Sequence, residues 1–207
     1  LLSRGLGDVY KRQELNPKLV ITKDFLIENG DDSISFIADP FFFYKDSIFL
    51  FFEKQVPSGR AVIDLITIND TSIIHKGTVV DPEYHISYPQ VFKYEDSFFM
   101  LPETKNSNNI ILYKTNDFPY DWYAVDTLVK NVRVKDPTLL ITDNLYLIIA
   151  CNDDFELMMY CSNDLFDGWD ECLEYEKFFG NKTRPGGRIF KVGGKFFIPV
   201  SYTHLRA

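Results

Sequence analysis

The 207-residue sequence lacks the features that mark several large classes of protein. Acidic residues outnumber basic residues, 30 to 22, and the net charge of −8 argues against a nucleic-acid-binding surface, which needs a basic face. No apolar run approaches the roughly 20 residues of a membrane-spanning helix. No recognisable signal peptide opens the chain. We therefore predict neither a nucleic-acid partner nor a membrane span.

Cysteine is scarce as well. The three cysteines are Cys151, Cys161 and Cys172. They contain no Cys-x-x-Cys pair, and a hairpin that turns at Asp153-Asp154 would place residue 151 opposite about residue 156 rather than opposite Cys161. Cysteines without partners are typical of a reducing compartment, so we predict three free thiols and a cytoplasmic protein.

Several catalytic signatures are absent from the sequence. It has no Gly-x-Ser-x-Gly motif, no phosphate loop that ends in Gly-Lys-Ser/Thr, and no dinucleotide-binding fingerprint. Away from the C-terminus the only histidines are His75 and His85, and neither has a partner at metal-ligand spacing. We expect no metal site and no cofactor.

Aromatic residues, in contrast, are abundant at 16%, and most of them are Phe and Tyr, which favour half-buried strands. Four segments share a polar start, a short apolar strand, a two-residue turn and a second apolar strand. These segments are residues 38–53, 87–103, 135–150 and 185–199. Their leading residues, Asp39, Tyr88, Asp136 and Gly186, follow one another at intervals of 49, 48 and 50 residues.

A repeat of nearly 50 residues that is built from short strands is typical of a β-propeller blade, and it predicts an all-β fold. A solenoid is the weaker interpretation, because a solenoid of this period would need helices or a much shorter coil. Blades that begin near residues 37, 86, 134 and 184 divide residues 14–199 into just under four repeats. We therefore predict an incomplete propeller.

The two ends of the chain do not follow the repeat. Residues 1–13 show neither strand alternation nor a helical stripe, and residues 200–207 break a strand pattern in mid-course. Both segments resemble translated sequencing-adapter read-through at the ends of a metagenomic gene fragment, and a natural disordered tail is the alternative. We expect the natural protein to continue on at least one side.

The first strand of each blade lines the central channel of a propeller, so the residues at the starts of these strands converge at one mouth. The predicted mouth residues are Asp39, Tyr88, Asp136, Arg184 and Arg188, with Glu53 and Glu103 one step further out and His85 on the rim. Facing carboxylates push their pKa values apart, which would supply a proton donor and a base. Carboxylates beside aromatics also suit sugars without catalysis. Each of these residues also has a purely structural interpretation: the Asp-Pro steps as turns, the glutamates as solvated strand ends, and the arginines as groups that neutralise the carboxylates.

Six segments together resemble one family of propeller domains. They are FIADPF at 36–41, HISYPQVF at 85–92, LPE at 101–103, DPTL at 136–139, GW at 168–169 and RPGGRIF at 184–190. The family is the propeller domain of glucosamine inositolphosphorylceramide transferases and their bacterial relatives, which is itself related to the five-bladed propellers of glycoside hydrolase family 43.

The resemblance implies a five-bladed, family-43-like propeller in which Asp39 is the general base of an inverting mechanism. It also implies that Asp136 is a second aspartate, which orients the catalytic acid and tunes its pKa. The family's acid is a glutamate of the next blade, where this chain has Arg184-Pro-Gly-Gly-Arg188. Glu103, on a different blade, is the nearest substitute for that acid.

We therefore predict a propeller that acts on or binds a glycan or an activated sugar in bacterial envelope-glycan metabolism. The catalytic version uses Asp39 and Asp136, with Glu103 or a glutamate of the missing blade, to cleave or transfer a glycosyl unit. The non-catalytic versions would be attached to a separate transferase domain in the full-length chain. In the binding version the same pocket only holds the sugar, and Arg184 and Arg188 meet an anionic group such as a sugar phosphate. A protein-interaction propeller with a structural channel is the third alternative. The sequence leaves open whether the protein is an enzyme.

Overall fold

The computed structural model describes residues 20–180 and 182–201 and consists of successive antiparallel sheets. The first sheet contains, in spatial order, β1 (Phe36–Tyr44), β2 (Ile48–Gln55), β3 (Ala61–Ile68) and β4 (Ile73–Val80). The second sheet contains, in the same way, β5 (Ser87–Tyr94), β6 (Ser97–Glu103), β7 (Asn109–Asp117) and β8 (Tyr120–Lys130).

The third sheet repeats this order with β9 (Val134–Ile141), β10 (Tyr146–Asn152), β11 (Leu157–Ser162) and the short β12 (Asp170–Glu171). A final hairpin pairs β13 (Phe190–Val192) with β14 (Lys195–Phe197). Four strands in chain order make each complete sheet, so the predicted all-β fold is confirmed.

Burial on both faces explains the continuous apolar runs of the second strands. In β2, Phe49 and Phe51 pack towards the second sheet, whereas Leu50 and Phe52 pack on the opposite side. Successive side chains of a strand point to opposite faces, so both faces of this strand must be apolar. The same arrangement between the second and third sheets buries residues such as Leu101.

The described residues also form two short helices, one before the first strand and one between β6 and β7. Helix α1 (Lys23–Glu28) is capped by Thr22 and packs its buried Leu26 against the first sheet. A single 3-10 turn, Lys105–Ser107, follows β6. The helices found in residues 20–180 and 182–201 are too short to cross a bilayer.

The prediction of three free thiols is wrong. Cys161 and Cys172 form a disulfide, with a Cα–Cα distance of 5.3 Å. The hairpin argument was correct for Cys151, which pairs with Leu157 and keeps a buried free thiol. It overlooked the return of the chain along β11, which brings Cys172 beside Cys161. Because disulfides are rare in reducing compartments, the cysteines no longer support the predicted cytoplasmic location.

Candidate functional site

Three blades place one residue each at the same structural position, a bulge near the start of the first strand. Asp39, Tyr88 and Asp136 each precede a proline, and their φ angles of 49°, 51° and 51° are left-handed. The strand register shifts at each of these bulges. Such a conformation is costly for a residue other than glycine and is typical of sites where a bulge aims a side chain.

These three side chains line one cavity of about 240 Å³. Arg184 and the Gly186-Gly187 segment complete much of its wall. The convergence that the repeat predicted at the channel mouth is therefore present in the structure. Four of the predicted site residues are not part of the cavity lining: Glu53, Glu103, His85 and Arg188.

Asp136 is the most enclosed member of the group, with 1% of its surface exposed. The Arg184 guanidinium donates to both of its carboxylate oxygens, through Nε to Oδ2 and through Nη2 to Oδ1 at 3.3 Å. The Glu103 carboxylate accepts the Asp136 backbone N–H at 3.0 Å. Glu103 therefore holds the strained bulge, and Arg184 neutralises the buried carboxylate that the bulge presents.

Asp39 and Glu53 form a second group on the first blade. Glu53 pairs with Ala38, the residue before Asp39, across the β1–β2 ladder, and only 8% of its surface is exposed. His85 Nε2 lies 3.6 Å from Glu53 Oε1, beyond hydrogen-bond length. Burial lowers the pKa of His85, so its ring is uncharged at neutral pH. This group therefore has no cation in direct contact among the residues that the structure describes.

Burial and like charges shift the ionisation of these carboxyls upwards. Burial raises the pKa of Glu53 to about 7, and the Asp39 and Glu103 charges add to the shift. Burial, followed by the charge of Asp136, raises the pKa of Glu103 to about 7. The same two causes raise the pKa of Asp39. At about pH 7 the Glu53 and Glu103 carboxyls are therefore each partly protonated.

Tyr88 contacts residues of three other blades inside the mouth. Its hydroxyl accepts the Gly187 backbone N–H at 2.7 Å and lies 2.9 Å from Thr138 Oγ1. Its ring packs edge-on against Phe41, with a centroid distance of 4.7 Å. Burial raises the pKa of Tyr88, so the hydroxyl stays protonated. The residue braces the cavity wall in addition to lining it.

Arg188 lies apart from the carboxylates. Its Nη2 donates to the Phe42 carbonyl at 3.2 Å and to the Val91 carbonyl at 2.6 Å, and its guanidinium lies over the Phe41 ring. Burial lowers the pKa of Arg188. This arginine thus ties the first strands of two blades together, and its described contacts are with the protein.

Arg184, one of the predicted mouth residues, occupies the fourth mouth position, whereas the repeat was aligned on Gly186. Arg184 precedes Pro185 just as Asp39, Tyr88 and Asp136 precede prolines. The residue-proline step would therefore have placed Arg184 itself, 48 residues after Asp136, beside the other three. At that position the Arg184 guanidinium can reach the Asp136 carboxylate and pair with it.

Comparison with known sequences identifies relatives of the whole region. A family model described as "Glucosamine inositolphosphorylceramide transferase 1, N-terminal" matches residues 16–199. The glucosamine inositolphosphorylceramide transferase 1 of Oryza sativa subsp. japonica is 30% identical over 179 residues, which are 80% of this chain and 24% of that protein. The Arabidopsis thaliana protein is 25% identical over 177 residues, 79% and 23% of the two chains. The chain thus spans about a quarter of these relatives.

Solved structures of low sequence identity share the fold. The exo-β-1,3-galactanase of Phanerochaete chrysosporium, solved with β-1,3-galactotriose, has a TM-score of 0.62 at 10% identity over 78% of this chain and 41% of that chain. A thermostable family-43 glycoside hydrolase has a TM-score of 0.53 at 9% identity over 81% and 76%. The predicted family-43-like propeller fold and the family resemblance are confirmed.

Proposed function

The chain belongs to the family of the N-terminal region of glucosamine inositolphosphorylceramide transferase 1, and we propose that its channel mouth binds a glycosyl unit without cleaving it. Asp39, Asp136 and Tyr88 supply the polar wall of a cavity of about 240 Å³. A cavity of that size with a few convergent polar groups suits one sugar ring or part of one.

The observation that carries this proposal is the position of Arg184. The family-43 resemblance places the general acid in the segment where this chain has Arg184, and Arg184 is bound to both oxygens of Asp136. An arginine stays protonated at neutral pH and cannot donate a proton to a leaving group. The hydrogen bond to Asp136 raises the pKa of Arg184 further. Recognition therefore fits the geometry better than hydrolysis.

The charge of the mouth favours a neutral or cationic sugar over an anionic one. Arg184 is paired with Asp136, and Arg188 donates to two backbone carbonyls, so both guanidinium groups that an anionic ligand would use already bind protein groups. Asp39 and Glu53 have no such cationic partner. The name of the rice and Arabidopsis relatives contains glucosamine, a sugar with an amino group. An amino sugar is our first candidate.

The wider setting of the domain is part of the same proposal. The relatives are about four times as long as the matched segment, which leaves room for the separate transferase domain that we propose for the full-length chain. Bacterial envelope-glycan metabolism and an origin in a metagenomic fragment rest on the sequence alone, since the relatives named above come from plants.

Calorimetric titration of the 207-residue protein with glucosamine, galactose and glucuronate tests the proposal. We expect glucosamine or galactose to bind, glucuronate to bind at least tenfold more weakly (about 1.4 kcal/mol), and Asp39→Asn to abolish binding. Asp143→Asn, at an exposed loop position, is the matched control. Tight binding of glucuronate that is lost in Arg184→Met would contradict the proposal.

A second candidate function is glycosyl hydrolysis or transfer with Asp39 as the base. The raised pKa values of Glu53 and Glu103, both about 7, favour it, because a protonated carboxyl near an ionised one is the requirement of acid–base catalysis. Release of nitrophenol from 4-nitrophenyl β-galactoside is the measurement. Turnover that Asp39→Asn abolishes would replace the binding proposal with this one.

A further inference from the structure

Three basic side chains meet beside the channel mouth, and we call them the basic cluster. Lys105 lies in the 3-10 turn after β6, Arg133 directly precedes β9, and Lys135 is the second residue of β9. Lys105 follows Glu103 by two positions, and Lys135 directly precedes Asp136. The basic cluster therefore borders the mouth without lining its cavity.

One carboxylate holds the basic cluster together. Asp153, in the turn after β10, accepts a hydrogen bond from Lys105 Nζ. Its Oδ1 lies 3.2 Å from Lys135 Nζ, and its Oδ2 lies 3.5 Å from Arg133 Nε. The hydrogen bond from Lys105 lowers the pKa of Asp153, so this carboxyl is ionised at neutral pH. Three positive charges thus face one negative charge, in a protein whose net charge is −8.

The neighbouring acids leave most of this excess charge in place. Asp154 shares the turn with Asp153, but within the described part of the chain it forms no ion pair with the basic cluster. Burial raises the pKa of Glu103 to about 7, so that carboxyl is only partly ionised at neutral pH. An excess of nearly two positive charges matches a phosphate monoester, which is a dianion above about pH 6, better than it matches a single carboxylate.

The basic groups are already held in position by the protein. The side chains of Lys105 and Lys135 are only 17% and 22% exposed. Arg133 Nη1 donates to Asn108 Oδ1 at 2.9 Å, and the Lys135 ammonium lies 5.0 Å from the centroid of the Phe155 ring. Side chains that are ordered in this way lose little conformational entropy when they bind an anion.

We propose that the basic cluster binds the phosphate group of a phosphorylated sugar. Lysine and arginine N–H groups donate charge-assisted hydrogen bonds to phosphate oxygens. The Phe155 ring, 43% exposed beside Lys135, offers an apolar face to the attached sugar. The phosphate half of this ligand goes beyond the proposed function, and the sugar half rests on it.

Titration with inorganic phosphate, followed by amide NMR, tests the site without assuming a sugar. At about pH 7.5, where phosphate is mostly a dianion, we expect shifts in residues 104–107, 132–136 and 152–156. Sodium chloride at the same ionic strength should not reproduce these shifts, because general screening is not localised. Shifts that chloride reproduces, or that fall outside these segments, would overturn the proposal.

Substitutions that remove one charge measure the contribution of each group. Lys105→Gln and Lys135→Gln should each weaken phosphate binding about fivefold, the effect of one charge a few ångströms away in water. Lys93→Gln is the matched control, because Lys93 is also paired with an aspartate, Asp96, but lies at the end of β5 that is remote from the mouth. Equal affinities in Lys93→Gln and Lys135→Gln would contradict the proposal.

Asp153→Asn distinguishes a binding site from a structural ion-pair network. Removal of the competing carboxylate should tighten phosphate binding about fivefold, because the repulsion of one charge is gone. A structural network would lose stability in urea unfolding and gain no affinity. An affinity that Asp153→Asn does not raise would therefore overturn the proposal.

Galactose 6-phosphate tests the sugar half, and Asp39→Asn provides a background in which the mouth is disabled. In that background it should bind about threefold more tightly than inorganic phosphate, and Phe155→Asn should remove this gain while phosphate binding stays the same. Asparagine tolerates the left-handed backbone of residue 155, whose φ is 58°. Equal affinities for the two ligands would overturn the sugar half. Failure of neutral sugars to bind the wild type removes the proposed function and leaves the phosphate half.

Discussion

Two neighbouring blade junctions each contain a glutamate, but the two glutamates have different partners. Glu53 lies near the end of β2 of the first blade, and Glu103 ends β6 of the second. Glu103 accepts the N–H of the bulge residue Asp136, whose carboxylate is paired with Arg184. Glu53 instead lies opposite Ala38, beside its own blade's bulge residue Asp39, and the charge of Asp39 raises the pKa of Glu53. The second junction has its charges paired, and the first holds a surplus of acid.

The comparison shows that the same residue type at equivalent positions of two blades can have different roles, because its partners differ. The paired junction is a structural element, since each of its polar groups already has a protein partner. The acidic junction carries unfavourable electrostatics, and proteins tolerate such a cost where a ligand relieves it. We expect mutations to separate the two junctions into stability and binding effects.

The largest effect on stability should come from Arg184→Met at the paired junction. The substitution leaves the Asp136 carboxylate buried without its cation, and breaking a buried pair from one side costs about 3 kcal/mol. Arg184 is 39% exposed at its side chain, so we take the lower end of the known range. Urea unfolding measures the loss.

Two further variants control that measurement. Lys182→Met removes an exposed positive charge two residues away and should change stability by less than about 0.5 kcal/mol. Asp136→Asn added to Arg184→Met should restore much of the loss, because asparagine is uncharged. Equal losses in Arg184→Met and Lys182→Met would show that the pair does not hold this junction.

A smaller effect should appear in the pH dependence of stability. The folded pKa of Glu53, about 7, lies above the ordinary value of 4.5 that it has in the unfolded chain. The folded state therefore binds the proton more tightly, and the stability from Glu53 is complete below about pH 4.5 and is lost as the pH rises through about 7. We expect a loss of at most about 3 kcal/mol, spread over this whole window.

Glu53→Gln and Glu103→Gln, unfolded at several pH values, compare the junctions directly. Glu53→Gln should remove its part of the slope and stabilise the protein above pH 7, because the acid is gone. Glu103→Gln should flatten the slope but stabilise less, since Glu103 also accepts the Asp136 N–H. Stability that rises between pH 5 and pH 7 would contradict the raised pKa values of both glutamates.

The sequence predicted the blades and the mouth because both depend on periodic features. Alternating apolar residues and turn residues recur with each blade, and Asp39, Tyr88 and Asp136 recur with them. The left-handed backbone at these positions was not predictable, because a residue before proline is ordinarily extended. The bulge that imposes this conformation is set by pairing with the second strand.

The hydrogen-bond partners of side chains in different blades could not be predicted from the sequence either. The hydrogen bond from Gly187 to Tyr88 joins residues 99 positions apart, and the bond from Arg188 to Val91 joins residues 97 apart. No local pattern marks such a pair, since the distance is set only when the blades pack. The Cys161–Cys172 disulfide escaped for a related reason, because β12 is a two-residue strand with no apolar alternation.

The smallest expected effect tests whether Arg188 belongs to the structure or to the ligand. Arg188→Ala removes hydrogen bonds to the Phe42 and Val91 carbonyls and the contact with the Phe41 ring. We expect a loss of about 1 kcal/mol in the free energy of unfolding, the usual worth of such hydrogen bonds. The affinity for galactose or glucosamine should change by less than about twofold, because Arg188 does not line the cavity. Calorimetry and urea unfolding on the same preparation separate the two effects. A tenfold loss of affinity at unchanged stability would move Arg188 into the binding site, and the anionic ligand predicted from its sequence position would then be the better candidate.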